Sequence, residues 1–252
     1  MTENIEDRAK AGANARPGRI RLKILVVTGT EIKGCTYRMK EIFLDCLREG
    51  NEITEYVLPR DCPQFCSGCK TCFLRSEKLC PHAKYVMPIW EAMLSADLLV
   101  FASPVYALRT TGQMKALLDH LCSHWMAHRP DERMFYKKAV ILTNAIGPMN
   151  GGAQRDIATS LTWLGVSDIK KFGVGLMEGV FWDELSEERR DMIAGKLQRL
   201  AGRYIKPYTS RKGLKVGLIF TMTKKLHQDL VRKEKVPSAD NQHWLDKGWI
   251  KL

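Results

Sequence analysis

Neither common phosphate-loop signature follows the first apolar run of this 252-residue chain. With no G-x-G-x-x-G and no G-x-x-x-x-G-K-[ST] there, the usual dinucleotide turn and the nucleotide-hydrolysing loop are both excluded. Apolar runs such as Leu98 to Leu108 stop well short of the roughly 20 residues a membrane span needs, so no membrane segment is expected. Residues 1–21 have no apolar core and carry Glu3, Glu6 and Asp7. They fit neither a secretory signal nor an acid-poor transit peptide and are read as a loose tail on a cytoplasmic protein. Acidic side chains are scarce: 28 Asp and Glu against 40 Lys and Arg leave a net charge of +12. Much of the excess gathers near the C-terminus, from Lys206 through Lys235, with no nucleic-acid recognition motif beside it. It is read as a solvated or partner-facing surface, and no nucleic-acid partner is expected.

What remains is a regular alternation. Ile24–Val27, Glu52–Leu58, Asp97–Ala102, Ala139–Thr143 and Ile169–Val174 read as strands, several of them apolar on both faces as central parallel strands are. Between them lie helical patterns after Gly34, over 85–95, after Gly112 and over 153–164. A long amphipathic helix follows over 184–205, with Asp183 as its expected cap and Pro207 as its stop. This specifies an α/β flavodoxin-like three-layer sandwich, a five-stranded parallel sheet in the order 2-1-3-4-5. The expected organisation is a tail over 1–21, the sheet domain over 22–206 and a basic helical extension over 207–252. In that extension Leu214 to Val231 is expected to form an amphipathic helix with Leu218, Met222, Leu226 and Leu230 in line, and Trp244 and Trp249 to dock on the body or on a second subunit.

In such a sheet the ligand lies at the carboxyl ends of the strands, beside the switch point. That gathers the loops 28–36, 103–112 and 143–152. The first places hydroxyls at Thr28, Thr30 and Thr36 beside Lys33, just ahead of a helix whose first N–H groups can face an anion. The chemistry suits a dianionic monophosphate; an ordinary turn without a ligand is the plain alternative.

Three passages together resemble the flavodoxin-like NADPH-dependent FMN reductase family: Thr28-Gly29-Thr30 with Gly34 and Thr36, Cys66-x-x-Cys69-x-x-Cys72, and Ser103-Pro104-Val105-Tyr106 with Thr111-Gly112-Gln113-Met114-Lys115 and Leu118-Asp119. The resemblance implies FMN, with Thr30, Gly34, Cys35 and Thr36 around its phosphate. It implies Pro104, Val105, Tyr106 and Leu108 against the ring, with Thr143, Asn144 and Gly147 along the other edge. Glu31 and Ile32 stand where the family commonly has Pro and Arg, which leaves Lys33 as the nearby cation. The implied activity is FMN-dependent oxidoreduction with NAD(P)H as co-substrate, with no general acid or base nominated. Small-molecule or protein electron donors and acceptors and a homo-oligomeric assembly are implied as well. A non-catalytic FMN- or metal-binding redox sensor or carrier is the alternative.

Five of the eight cysteines fall within Pro59–His82. The spacing Cys66-x2-Cys69-x2-Cys72-x7-Cys80 is similar to that of the iron–sulfur flavoprotein branch of the same family, which implies a [4Fe–4S] cluster on those four, with Cys62 spare. Structural zinc, a redox dithiol and unliganded thiols stay open. His120, His124 and His128, spaced by four, invite a metal reading but have no accompanying carboxylate, so a structural face is preferred. His128 and Arg129 are expected to reach a flavin, here or on a partner subunit.

Overall fold

The computed structural model describes residues 21–205 and 212–252; the expected tail, apart from Arg21, and the expected helix stop at Pro207 lie outside them. Its strands are β1 (Lys23–Thr28), β2 (Glu52–Val57), β3 (Leu98–Pro104), β4 (Lys138–Ala145) and β5 (Asp168–Gly175). Its helices are α1 (Cys35–Asp45), the short α2 (Thr71–Leu74), α3 (Ala83–Ser95), α4 (Gly112–His120), α5 (Gly151–Leu164), α6 (Glu187–Ile205), α7 (Leu214–Val231) and α8 (Ala239–Asp246). The strands form one sheet in the order β2-β1-β3-β4-β5, with every neighbouring pair parallel.

Because side chains alternate along a strand, each central strand feeds two cores. Leu25, Val27, Leu99, Phe101, Ala139 and Ile141 face α3, α4 and α5. Ile24, Val26, Leu98, Val100, Val140 and Leu142 face α1 and α6. Each such side chain, fully buried, contributes about 1.5–3 kcal/mol, so both sheet faces are consumed by packing. Function is left to the strand-end loops.

Two expectations fail in informative ways. The long helix begins at Glu187, not Glu184. The Glu184 carboxylate is turned back to accept from the Val180 and Phe181 N–H groups at 2.7 and 3.0 Å, so Trp182–Glu184 closes as a 3-10 turn. Ser186 takes the capping role expected of Asp183, accepting from the Arg189 N–H at 3.3 Å. The helix expected over 214–231 is α7; its row Leu218, Met222, Leu226 and Leu230 lies on the exposed side, and the helix docks through Val216, Phe220, Thr223, His227 and Val231. Aromatic stacking decides this: Phe220 lies 5.2 Å from Phe135 and 5.2 Å from Trp244, and His227 stacks on Trp244 at 4.5 Å. Trp244 is wholly buried and donates to the His128 carbonyl at 2.6 Å. The extension therefore docks against residues 126–130 of the body.

Candidate functional site

The helix α1 starts at Gly34 with no side-chain cap and no acidic residue in its first turn. Its leading N–H groups and the positive end of its dipole are therefore left to an external anion. Around that end, the Thr30 hydroxyl accepts from the Ile32 N–H at 3.2 Å. The Thr36 hydroxyl donates to the Asn144 side-chain oxygen on β4. Cys35 is buried with its sulfur 3.6 Å from the Val180 carbonyl, and burial pushes its thiol pKa up. Thr28 differs from the others: its hydroxyl donates to Glu55 at 2.7 Å, and Glu55 also pairs with the buried Lys40.

The loop after β3 is locked to the loop after β1. Thr111 Oγ1 donates to the Gly29 carbonyl at 2.8 Å and accepts from the Met114 N–H at 3.2 Å, capping α4. A Cβ on residue 29 would lie 2.9 Å from that same hydroxyl oxygen, so the close approach requires glycine. Beneath them the buried Ser103 hydroxyl meets Thr110 at 3.0 Å and accepts from the Thr111 N–H at 3.4 Å. Gly29, Ser103 and Thr111 were singled out in the sequence only as part of the resemblance; their anchoring role was not read from it, although Thr111 directly before Gly112-Gln113 is a readable helix cap.

Tyr106 and Arg109 exchange two backbone hydrogen bonds of 3.0 Å, and Ala107 and Leu108 between them have φ of 48° and 63°. Two consecutive left-handed non-glycine residues make a strained primed turn, a conformation that needs outside support. The support comes from α5. Arg109 pairs with Asp156, Nε to carboxylate 3.0 Å, and the Thr110 N–H donates to the same carboxylate at 3.2 Å. The Leu108 carbonyl lies so close to Gly152 that a Cβ there would meet it at 2.1 Å. Tyr106 and Leu108 stand 52% and 54% exposed, so Tyr106 is no core aromatic.

Pro104 and Asn144 are register partners, and the Val105 N–H donates to the Asn144 carbonyl at 2.8 Å. Thr143 is buried and accepts from Gln154 at 3.1 Å. The Gly147 carbonyl lies where a Cβ on Gly175 would come within 2.7 Å. Exposed apolar side chains at Ile32, Tyr106, Leu108, Ile146, Met149, Met177 and Phe181 rim this edge, as a site for a flat, largely apolar ligand would have.

The cysteine passage forms a separate centre. Cys62 is buried in the core. Cys66, Cys69, Cys72 and Cys80 line one cavity of about 60 Å³ with His82, His120 and His124. Cys66 and Cys69 are exposed, while Cys72 and Cys80 are half-buried. Hydrogen bonding between the Cys69 thiol and the Thr71 hydroxyl, 3.4 Å apart, holds that thiol below its ordinary pKa, whereas burial pushes Cys72 up. Buried Arg129 fastens the passage: it donates to the Cys72 and Phe73 carbonyls, lies 3.3 Å from Glu77 and pairs with Asp240 of α8 at 2.6 Å.

The three spaced histidines do not share a face. His120 ends α4, where its Nε2 meets the Gln64 carbonyl at 3.1 Å. His124 lies in a 3-10 turn stacked on Trp90 at 4.0 Å, and His128 pairs with Asp240 at 2.8 Å. Within the chain His128 and Arg129 thus serve the docked extension and the cysteine passage.

A doubly wound parallel sheet whose first, third and fourth strand-end loops interlock beside an uncapped helix start defines a flavodoxin-like α/β protein. The chain belongs to the NADPH-dependent FMN reductase family, whose profile matches residues 22–178, and is an NAD(P)H-dependent FMN oxidoreductase of that family. It is 23% identical over 187 residues to an iron-sulfur flavoprotein of Archaeoglobus fulgidus, covering 74% of this chain and 80% of the relative. It is 24% identical over 168 residues to an iron-sulfur flavoprotein of Methanocaldococcus jannaschii, covering 65% and 83%. Among solved structures, an azoreductase of Bacillus anthracis superposes with a TM-score of 0.59 at 16% identity, covering 72% of this chain and 99% of that one. An NAD(P)H:quinone oxidoreductase of Methanothermobacter marburgensis gives 0.58 at 17%, covering 75% and 100%. These two superpositions establish the fold. Among the described residues no helix is long and apolar enough to cross a membrane.

Proposed function

We propose that the interlocked strand-end loops hold FMN and that Cys66, Cys69, Cys72 and Cys80 hold a [4Fe–4S] cluster, making the protein a converter between two-electron and one-electron carriers. The observation that carries the flavin assignment is the uncapped start of α1, with Thr30 and Thr36 beside it. There the N–H groups behind Gly34, Cys35 and Thr36 bind the phosphate. Pro104, Val105, Tyr106 and Leu108 bear on one edge of the ring, and Thr143, Asn144 and Gly147 on the other. Bound FMN supplies the acceptor for a hydride from NAD(P)H, and the protein positions the two partners and excludes water from between them.

The cluster assignment draws support from the donor set. Four thiols that line one cavity match the all-cysteine donor set of such a cluster. Such a cluster supplies one-electron exchange with a small-molecule or protein partner. The apolar rim at the strand ends favours a second copy of the chain as a further partner.

Protein purified without oxygen tests both assignments. Expected are a flavin spectrum restored by added FMN, bleaching on mixing with NADPH, and further visible absorbance with bound iron after reconstitution with iron and sulfide. Failure to bind FMN removes the redox function; failure to take up iron removes the cluster alone.

A further inference from the structure

One group of metal-capable side chains in the described part of the chain brings three ligand atoms close to one another, and it is not the four-cysteine set. The Cys80 sulfur and one ring nitrogen each of His82 and His120 all lie within 4.8 Å of one another. His120 is 8% exposed, and His82 and Cys80 are half-buried. The two rings meet edge to face, centroids 5.2 Å apart. All three residues line the cavity of about 60 Å³, which exceeds the ~15 Å³ that one water occupies on this measure.

The orientation of His120 points the same way. Its Nε2 lies 3.1 Å from the Gln64 carbonyl. A carbonyl only accepts, so Nε2 carries the proton and Nδ1 keeps its lone pair. A metal-binding histidine is commonly fixed in this manner, its other N–H donated to a backbone carbonyl.

We propose that Cys80, His82 and His120 form a mononuclear site for a borderline-soft divalent cation, with Zn²⁺ the best match. One thiolate and two imidazoles suit that ion, and three protein ligands leave its fourth tetrahedral position to water. On binding, the Cys80 thiol releases its proton to solvent and the sulfur forms the metal bond. Cys80 is shared with the proposed cluster, so the ion occupies this site only in cluster-free protein and a complete cluster displaces it. The cation site does not itself rest on the cluster assignment, and uptake of iron and sulfide tests that assignment independently.

The test is a Co²⁺ titration of iron-free protein under reducing, anaerobic conditions, followed by displacement with Zn²⁺. The expected result is one equivalent bound, with visible ligand-field bands and a near-ultraviolet thiolate-to-cobalt band, all lost on adding Zn²⁺. H82A and H120A should each weaken binding at least tenfold, and C80S should abolish the thiolate band. C66S and C69S should change affinity by less than twofold. Thermal melts of the metal-free variants serve as folding controls; should H120A fail to fold, H82A and H120N carry the comparison. Absence of binding in the wild type overturns the proposal. So does a loss in C66S or C69S equal to that in the histidine variants, because it moves the ion to the four-cysteine set.

Discussion

The strand-end cradle and the cysteine passage are both loops outside the sheet, yet they are held by different means. In the cradle the constraints include close backbone approaches, Gly152 under the Leu108 carbonyl and Gly175 against Gly147, beside short side-chain ties within the site itself, Thr111 to the Gly29 carbonyl and Arg109 to Asp156. In the cysteine passage they are a few side chains reaching in from elsewhere, Arg129 to the Cys72 and Phe73 carbonyls and His120 to the Gln64 carbonyl. A rigid planar ligand needs a seat built before it arrives. Thiolates that gather around a metal centre organise themselves on binding, so their loop needs only to be tethered.

The contrast breaks most sharply at Arg129, which is buried and links the passage, Glu77 and Asp240. Arg129→Ala leaves Asp240 with His128 alone as its cation and is expected to cost about 3 kcal/mol. Limited proteolysis should then cut within residues 62–80 while FMN affinity changes little. Loss of FMN binding at undiminished protease resistance would show the two regions to be one unit. Gly152→Ala probes the other side: its methyl group meets a backbone carbonyl, and overpacking of this kind costs about 2–3 kcal/mol. Isothermal titration should show FMN affinity reduced at least tenfold, because the turn at Ala107 and Leu108 must move, with iron uptake unchanged.

The same contrast governs what could be read in advance. The sheet order was legible because a central parallel strand must be apolar on both faces, as 24–27 and 98–102 are. The cradle loops were legible because the switch point follows from that order. The helix start near residue 184 was misjudged because a carboxylate can serve a turn as readily as a cap, and Glu184 serves Val180 and Phe181. The helix α7 was legible but its docking face was not, because leucine spacing states a period, while the docking face was chosen by Phe135 and Trp244, remote in sequence. Arg129, expected to reach a flavin, instead holds the Cys72 and Phe73 carbonyls and Asp240, and His82 carried no signal, since the partners of both lie on other elements. The Thr28 hydroxyl, expected near a phosphate, turns to Glu55 for the same reason.

Two histidines beside the cysteine passage give it opposite pH limits. Burial, above all, pushes His124 down to about 4, so the fold favours its neutral form. The associated stability is complete above the unfolded value near 6.5 and is lost as pH falls from there towards 4. The hydrogen bond to Asp240, first of all, pushes His128 up to about 9, so the fold favours its charged form. That stability is complete below about 6.5 and is lost as pH rises through 9. Each shift corresponds to roughly 3–4 kcal/mol at most, less for the partly exposed His128. Denaturant melts across pH should show His128→Gln flattening only the alkaline limb and His124→Gln only the acid limb. A variant that flattened both would mean the two rings titrate together.

The smallest effect is expected where the tethering argument is most exposed to failure. Cys66 and Cys69 are open to solvent, and in the metal-free protein no core packing rests on them. Replacing either with serine should therefore move the metal-free melting temperature by no more than about 2 °C. After reconstitution with iron and sulfide, the wild type should gain protease resistance within residues 62–80 and these variants should not. A large drop in the metal-free melt of Cys69→Ser would mean that the thiols themselves hold the empty loop, and the distinction between a preformed seat and a self-organised one would fail at this site.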